Sequence, residues 1–428
     1  MAIASGTSTQ SAVIPAATAT LDDSTLWIQY LNALMGVTGQ ASLDGLMAGS
    51  VAETFDIGDS NPQKVNQAIY QFANPLPEWQ MIYSPSEVSL FTQYGLFLNG
   101  LQLVQQDTSP DLQAQLTSDQ ASLRANVLQL QDDLNAGMPA EIIASDEGAV
   151  NASQQAVTND LEQINGPNYM VLGADLTNYQ MAQFGIKLNS LGNQLTMPTP
   201  SSTSTPVQVP AYTLSDYSQW LTTAAANAAS NPPIFQEVLT FNESSSSSYS
   251  GSFTTASAQD ESIFFGWYNS SQSSWSSVST QGGQQVSYTV TAQLPGVALL
   301  DVQPGGWFDG TLIQDFQNGP FLQDSPFSTQ PAFGASGIFN LMVSQVLVAY
   351  MPTVTVQFDE SSWSSFYSVW TSSDCSALSI GPFYANSSSN SNAGYSGTAS
   401  YDGSNFTVTF TYNTPVPVIL GVVADVLP

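Results

Sequence analysis

Apolar side chains recur at helical spacing from residue 22 to about residue 197, whereas beyond residue 231 they alternate, and this change of period divides the chain. Leu26, Trp27, Tyr30, Leu31 and Leu34 follow the capping candidates Asp22, Asp23 and Ser24, which predicts a first helix from residue 22. Ser84-Pro85-Ser86-Glu87 offers a cap, a first-turn proline and an early acid, so a helix is expected to start there. The run Val88 to Val104 is apolar on more than one side and predicts a central, buried helix. Ser109-Pro110-Asp111 begins another, with Leu116, Leu123, Val127, Leu130 and Leu134 in a heptad-like seam, and Gly137-Met138-Pro139 ends it. Two further helices are expected over about 140–163 and 169–195. Residues 22–197 therefore read as an α-helical bundle of long antiparallel helices.

Residues 1–21, rich in Ala, Ser and Thr, read as an extended arm, and the Pro/Ser/Thr run within 198–212 reads as a linker. A short helix is expected over about 215–229. Alternation in Val286–Ala292, Val354–Phe358 and Phe406–Tyr412, separated by Gly, Ser and Asn clusters, predicts antiparallel strands. The Ser-rich runs 244–248 and 387–391 read as exposed loops. The expected fold is α+β and multidomain: an N-terminal α-helical bundle, then a C-terminal antiparallel β-sandwich over 213–428 with a leading short helix.

Charge narrows the function classes. The chain has 428 residues, 33 acids, 3 bases and no histidine; the bases are Lys64, Arg124 and Lys187. Nucleic-acid binding draws its affinity from Lys and Arg, so a net charge of -30 argues against a nucleic-acid partner and against anionic lipid. Charged residues make up 8% of the chain, against roughly 25% in ordinary proteins. Polarity comes instead from Ser, Thr, Asn and Gln. With so few cations the carboxylates must be solvated, capped or neutralised by protons. Repulsion between molecules then fades near the carboxylate pKa range, roughly pH 4 to 5.

The residues offer little catalytic chemistry. Without histidine there is no Ser-His-Asp triad and no imidazole metal site. Cys375 is the one cysteine, so no internal disulfide can form; it reads as a buried small hydrophobe or as a bond to Cys375 of a second molecule. The adjacent acids Asp22/Asp23, Asp132/Asp133, Asp146/Glu147 and Asp359/Glu360 are candidates for paired-carboxylate hydrolysis, but sequence neighbours seldom converge on one atom. Asp56 to Asn61 lacks the ligand register of a calcium loop, and no phosphate-cradling motif with a lysine occurs. Phe264, Phe265, Trp267 and Tyr268 read as a core strand or as a sugar-stacking platform. Neither enzyme activity nor a cofactor is expected. No stretch of about 18 apolar residues occurs and the start lacks a basic n-region, so neither a membrane span nor a standard signal peptide is expected.

Within the C-terminal part, Val297-Ala298-Leu299-Leu300-Asp301-Val302-Gln303-Pro304-Gly305-Gly306-Trp307-Phe308 resembles a segment of a family of bacterial and fungal proteins labelled insecticidal-crystal-toxin-like. Gln345 to Pro352, Ser379-Ile380-Gly381-Pro382-Phe383 and the tail from Pro415 to Pro428 are similar in the same order. The family usually has Arg-Pro-Trp where this chain has Gly305-Gly306-Trp307, which puts in doubt any role needing that arginine. A narrower resemblance is to fungal members that form octahedral vacuolar crystals in gravity sensing. The resemblance implies no catalytic residues. With the charge pattern it implies a non-enzymatic structural protein whose partner is itself, assembling into a dense crystalline body at acidic pH, such as a vacuolar statolith or storage crystal. An acidic compartment such as a vacuole, or the extracellular space, suits that role. The alternative is a pore-forming or insecticidal-type toxin, with a membrane-active helical part and a β receptor-binding part.

Overall fold

The computed structural model describes residues 23–38, 45–49, 62–102, 109–165, 169–183, 196–198, 208–246, 263–269, 271–277, 287–333, 337–370, 375–386, 397–412, 415 and 417–427. In chain order the elements begin α1 (Asp23–Thr38), β1 (Leu46–Ala48), α2 (Pro62–Ala73), β2 (Pro75–Pro77), β3 (Pro85–Ser89), α3 (Leu90–Gly100), α4 (Pro110–Asn135), α5 (Ala140–Asn165), α6 (Tyr169–Gln183) and β4 (Thr196–Pro198). They continue with β5 (Gln208–Pro210), β6 (Tyr212–Leu214), α7 (Tyr217–Ala229), β7 (Glu237–Asn242), β8 (Phe265–Asn269), β9 (Ser274–Ser277), β10 (Tyr288–Leu294), β11 (Val297–Pro304), α8 (Gly310–Phe316) and β12 (Leu341–Tyr350). The last are β13 (Thr353–Phe358), α9 (Glu360–Trp370), β14 (Cys375–Ile380), β15 (Phe383–Asn386), β16 (Gly397–Asp402), β17 (Thr407–Tyr412) and β18 (Pro417–Val426). The protein is thus a mixed α+β structure with largely antiparallel sheets.

A five-stranded sheet, ordered β1-β18-β12-β11-β6, is covered on both faces. Alternate side chains of a strand point to opposite faces, and here each set enters a different core. Met47, Val346, Val348, Val422 and Ala424 pack with α2, α3 and the long helices. Leu46, Ala48, Leu347, Ala349, Leu420 and Val423 pack with α1 and the nine-stranded sheet. Burial on both faces explains why Pro417–Val426 reads as a continuous apolar run instead of alternating. The nine-stranded sheet, ordered β7-β10-β13-β17-β16-β15-β14-β8-β9, keeps the expected alternation: β10, β13 and β17 bury every second residue.

Several expectations change at this level. The first helix forms, with Leu26, Trp27, Tyr30, Leu31 and Leu34 all buried, but it belongs to the β core and not to the long helices. Tyr30 donates to the Leu420 carbonyl at 2.9 Å, and Asp23 accepts from the Phe264 amide and the Ser277 hydroxyl. With α1 in the β core and β1 forming an edge of the five-stranded sheet, packing does not follow the expected bundle over 22–197. The helix expected from Ser84-Pro85-Ser86-Glu87 starts later. Pro85–Ser89 pairs with β2, and Ser89 is the N-cap, its Oγ accepting from the Thr92 amide at 3.2 Å. Asn74 anchors that cap by donating to Ser89 Oγ and accepting from the Phe91 amide, so a tertiary contact overrides the local start signal. The ends of the expected linker are strands: β4 pairs β5, and β6 joins the five-stranded sheet. Residues 199–207 lie outside the described residues, as do 1–22, 247–262, 387–396 and the loop Asp56 to Asn61.

Candidate functional site

The carboxylates fall into two groups by what they face. In the β-rich part, backbone amides and hydroxyls take the place of the missing cations. Glu243 accepts from Ser287 Oγ at 2.8 Å and the Tyr288 amide at 3.2 Å. Asp359 caps α9 by accepting from the Ser362 amide at 2.7 Å. Asp402 accepts from Asn405 Nδ2, the Ser404 amide and the Asn405 amide, and these donors, the Asn405 side chain first, hold its carboxyl below its ordinary value.

In the helical part, carboxyls face other carboxyls. The antiparallel helices α4 and α5 pack along a seam. On α4 it carries Leu116, Leu123, Val127 and Leu130; Leu134, the last residue of the expected heptad pattern, is 38% exposed instead. On α5 the seam carries Ile143, Val150, Val157 and Ile164 at seven-residue intervals. Interleaved with these, also at seven-residue intervals, are Asp119, Asn126 and Asp133 on α4 and Asp146, Ser153 and Asp160 on α5. Antiparallel packing matches them rung by rung: Asp119 with Asp160, Asn126 with Ser153, Asp133 with Asp146. In the middle rung the two partners bond each other: Asn126 Nδ2 donates to Ser153 Oγ at 3.3 Å, and Ser153 donates to the Ala149 carbonyl at 2.8 Å. In the outer rungs the facing groups are both carboxyls, and Asp133 Oδ2 accepts from Gln129 Nε2 of its own helix at 2.7 Å.

The outer rungs are short of protons. Asp160 is 1% exposed, and its Oδ2, like that of Asp146, is buried without a hydrogen-bond donor. Two ionised carboxylates are both acceptors and cannot bond each other. A single shared proton supplies the bond and removes the repulsion. Burial first, then the facing carboxyl, accordingly pushes Asp160 and Asp146 above their ordinary values, with Asp119 and Asp133 as the respective partners.

A third pair of acids, Asp175 on α6 and Asp309 before α8, lies close enough for each charge to be felt by the other. Asp309 caps α8, accepting from the Thr311 and Leu312 amides, while its own amide donates to Tyr94 Oη at 3.1 Å. Burial, then the charge of Asp309, raises the pKa of Asp175 to about 6. Tyr94, raised by burial and next by Asp175, stays protonated.

Of the sequence candidates, Asp133 and Asp146 do pair, but across the hairpin and not with their neighbours Asp132 and Glu147. Asp23 and Asp359 serve as anchor and cap. Cys375 is 7% exposed at the start of β14, with its thiol 3.5 Å from the Ala377 carbonyl that it faces as donor. That position matches the buried reading; a bond to a second molecule would require this strand end to open. Phe264, Phe265 and Trp267 are core residues, 1%, 1% and 9% exposed, as the core-strand reading expects, while Tyr268 is half-buried beside Trp275. Sequence reading missed Asp119, Asp160, Asp175 and Asp309. The first two could have been found from the seven-residue recurrence of polar residues inside an apolar seam.

Among the described residues, no group of three or more metal-capable side chains occurs, and no helix is long and apolar enough to cross a membrane. No protein-family model matches the chain, and comparisons with curated proteins and with solved structures return no match.

Proposed function

We propose that this is a non-enzymatic structural protein that associates with copies of itself in an acidic compartment, forming a dense ordered body such as a vacuolar crystal. The carrying observation is the set of carboxyl pairs Asp119/Asp160, Asp133/Asp146 and Asp175/Asp309, each of which gains a hydrogen bond or loses a repulsion when one proton is added. A chain with 33 acids and 3 bases has the same requirement on its surface, where acid removes the repulsion between molecules. The β-rich part, read as a sandwich of two sheets sharing one core, supplies a rigid body with a surface of hydroxyls and amides that suits close packing. The resemblance of its strands to crystal-forming toxin-like proteins agrees with this reading.

The test is light scattering and electron microscopy of purified protein as pH is lowered from 7.5 to about 4.5, through the carboxylate range. Reversible ordered particles on acidification are expected. Scattering that stays flat across the range, or disordered precipitate that does not redissolve, would refute the reading.

A further inference from the structure

The polar rungs of the α4–α5 hairpin differ from one another in one respect that bears on how the hairpin holds together. The central rung, Asn126 with Ser153, has its own donors and does not titrate. The two outer rungs, one heptad to either side, each place a carboxyl against a carboxyl along the apolar seam, with Asp160 fully buried and Asp119, Asp133 and Asp146 partly so. A polar group buried in such a seam normally fixes register at a cost in stability. Here the cost depends on a proton.

We propose that α4 and α5 form a proton-operated clasp: one shared proton in each of Asp119/Asp160 and Asp133/Asp146 closes the hairpin, loss of both protons loosens it, and Asn126/Ser153 preserves the register in either state. The charged surroundings agree. The other charged groups described on the three packed helices are Asp111, Arg124 and Asp132 on α4, Glu141, Glu147 and Glu162 on α5, and Asp175 on α6. Arg124 is the one described cation among them, and it lines a hollow with Gln180, Met181 and Gln183 of α6. Neither outer rung has a cation among the groups that perturb it; the perturbing charge in each is the opposing aspartate. α6, packed against α5 and facing α4 across that hollow, adds a further acid and no described base.

Burial of Leu123, Val127, Leu130, Val150, Val157 and Ile164 favours closure at any pH. The clasp therefore modulates the opening of the hairpin and does not unfold the protein. The inference concerns a single molecule; it shares two of its acid pairs with the proposed function but does not require molecules to associate.

Hydrogen exchange of the full chain, read by mass spectrometry at pH 4.5 and 7.5 in chelator-containing buffer below the concentration at which scattering appears, tests it. After correction for intrinsic exchange rates, amides of 116–133 and 143–164 should gain about tenfold or more protection on acidification, as expected for local opening linked to two proton-binding sites. Amides of β12 and β18 should change far less. The variant pair Asp146→Asn with Asp160→Asn places a permanent donor in each rung, so hairpin protection should become nearly independent of pH. Asp119→Asn with Asp133→Asn on the facing helix should do the same. Equal wild-type protection at both pH values would overturn the proposal without any variant. So would a pH response that persists unchanged in both variant pairs while their helical circular dichroism is intact. Failure to assemble at acid pH would leave these outcomes untouched, which separates this test from that of the proposed function.

Discussion

Asn126 Nδ2 donates to Ser153 Oγ at 3.3 Å across the α4–α5 seam, midway between two rungs in which aspartates oppose each other. This bond joins the helices at any pH, whereas its neighbours depend on protons. Replacing Asn126 by Ala should lower the stability of the hairpin by about 1 kcal/mol, the net worth of one ordinary hydrogen bond. The loss should be similar at pH 5 and pH 7.5 in thermal melts followed by helical circular dichroism. A strongly pH-dependent loss would show that the middle rung is coupled to the outer ones.

Asp175 makes a separate prediction about pH. Its folded pKa is about 6, above the ordinary aspartate value of 3.8, so the folded state binds the proton more tightly than the unfolded chain does. Stability contributed by this group therefore grows as pH falls from above 6 toward 4 and is lost as pH rises through 6. Asp175→Asn should stabilise the protein at pH 8 by about 1 kcal/mol, after allowance for solvent screening of a half-buried group. It should also flatten the denaturation midpoint between pH 6 and 4. A variant less stable than wild type at pH 8 would refute this account.

Gly45 immediately precedes β1 with φ +83°, and a Cβ placed there would lie 2.1 Å from the Ala424 carbonyl oxygen of β18. Both the backbone conformation and the neighbouring backbone exclude a side chain. Gly45→Ala should cost about 1–3 kcal/mol, as overpacking does, and should speed exchange at Leu46–Ala48 before the rest of the sheet. Unchanged exchange there would mean that β1 tolerates displacement.

Trp307 is fully buried, donates from Nε1 to the Ala211 carbonyl at 2.9 Å and meets Phe91, Tyr94 and Tyr212 edge-on. Trp307→Ala should destabilise by about 3–5 kcal/mol, the range for a deleted core aromatic. Chemical denaturation measures it, and a loss below 1 kcal/mol would show that α3 and the loop before α8 collapse into the space.

Cys375 should react with a water-soluble thiol reagent rapidly in denaturant and slowly in the native protein, because its side chain is 7% exposed. Equal rates would place the sulfur at the surface and revive an intermolecular disulfide.

Most helices and the alternating strands were legible because their signals are local. Ser109-Pro110-Asp111 begins α4, with Ser109 Oγ accepting from the Leu112 amide, and β10, β13 and β17 bury alternate residues. Long-range partners were not legible. Nothing in Leu26 to Leu34 distinguishes a helix that packs on helices from one that packs on a sheet, since both want the same apolar stripe. Ser84 to Glu87 carries good start chemistry, yet Asn74 holds Ser89 as the cap. The acid pairs were half legible. The heptad of α4 shows its leucines directly, but pairing Asp119 with Asp160 needs the register of two antiparallel helices, which no single stretch contains.

The pairing of β1 with β18 governs when this protein can finish folding. Leu46 sits opposite Val423, and Tyr30 reaches Leu420 across 390 residues of chain. During synthesis β1 is made long before β18, the strand that lies between β1 and β12, and cannot pair until β18 arrives. Contacts of such separation close late and slowly. The β1 segment therefore lacks its strand partner, and is exposed to chaperones and to wrong partners among neighbouring nascent chains, while the residues between it and β18 are made.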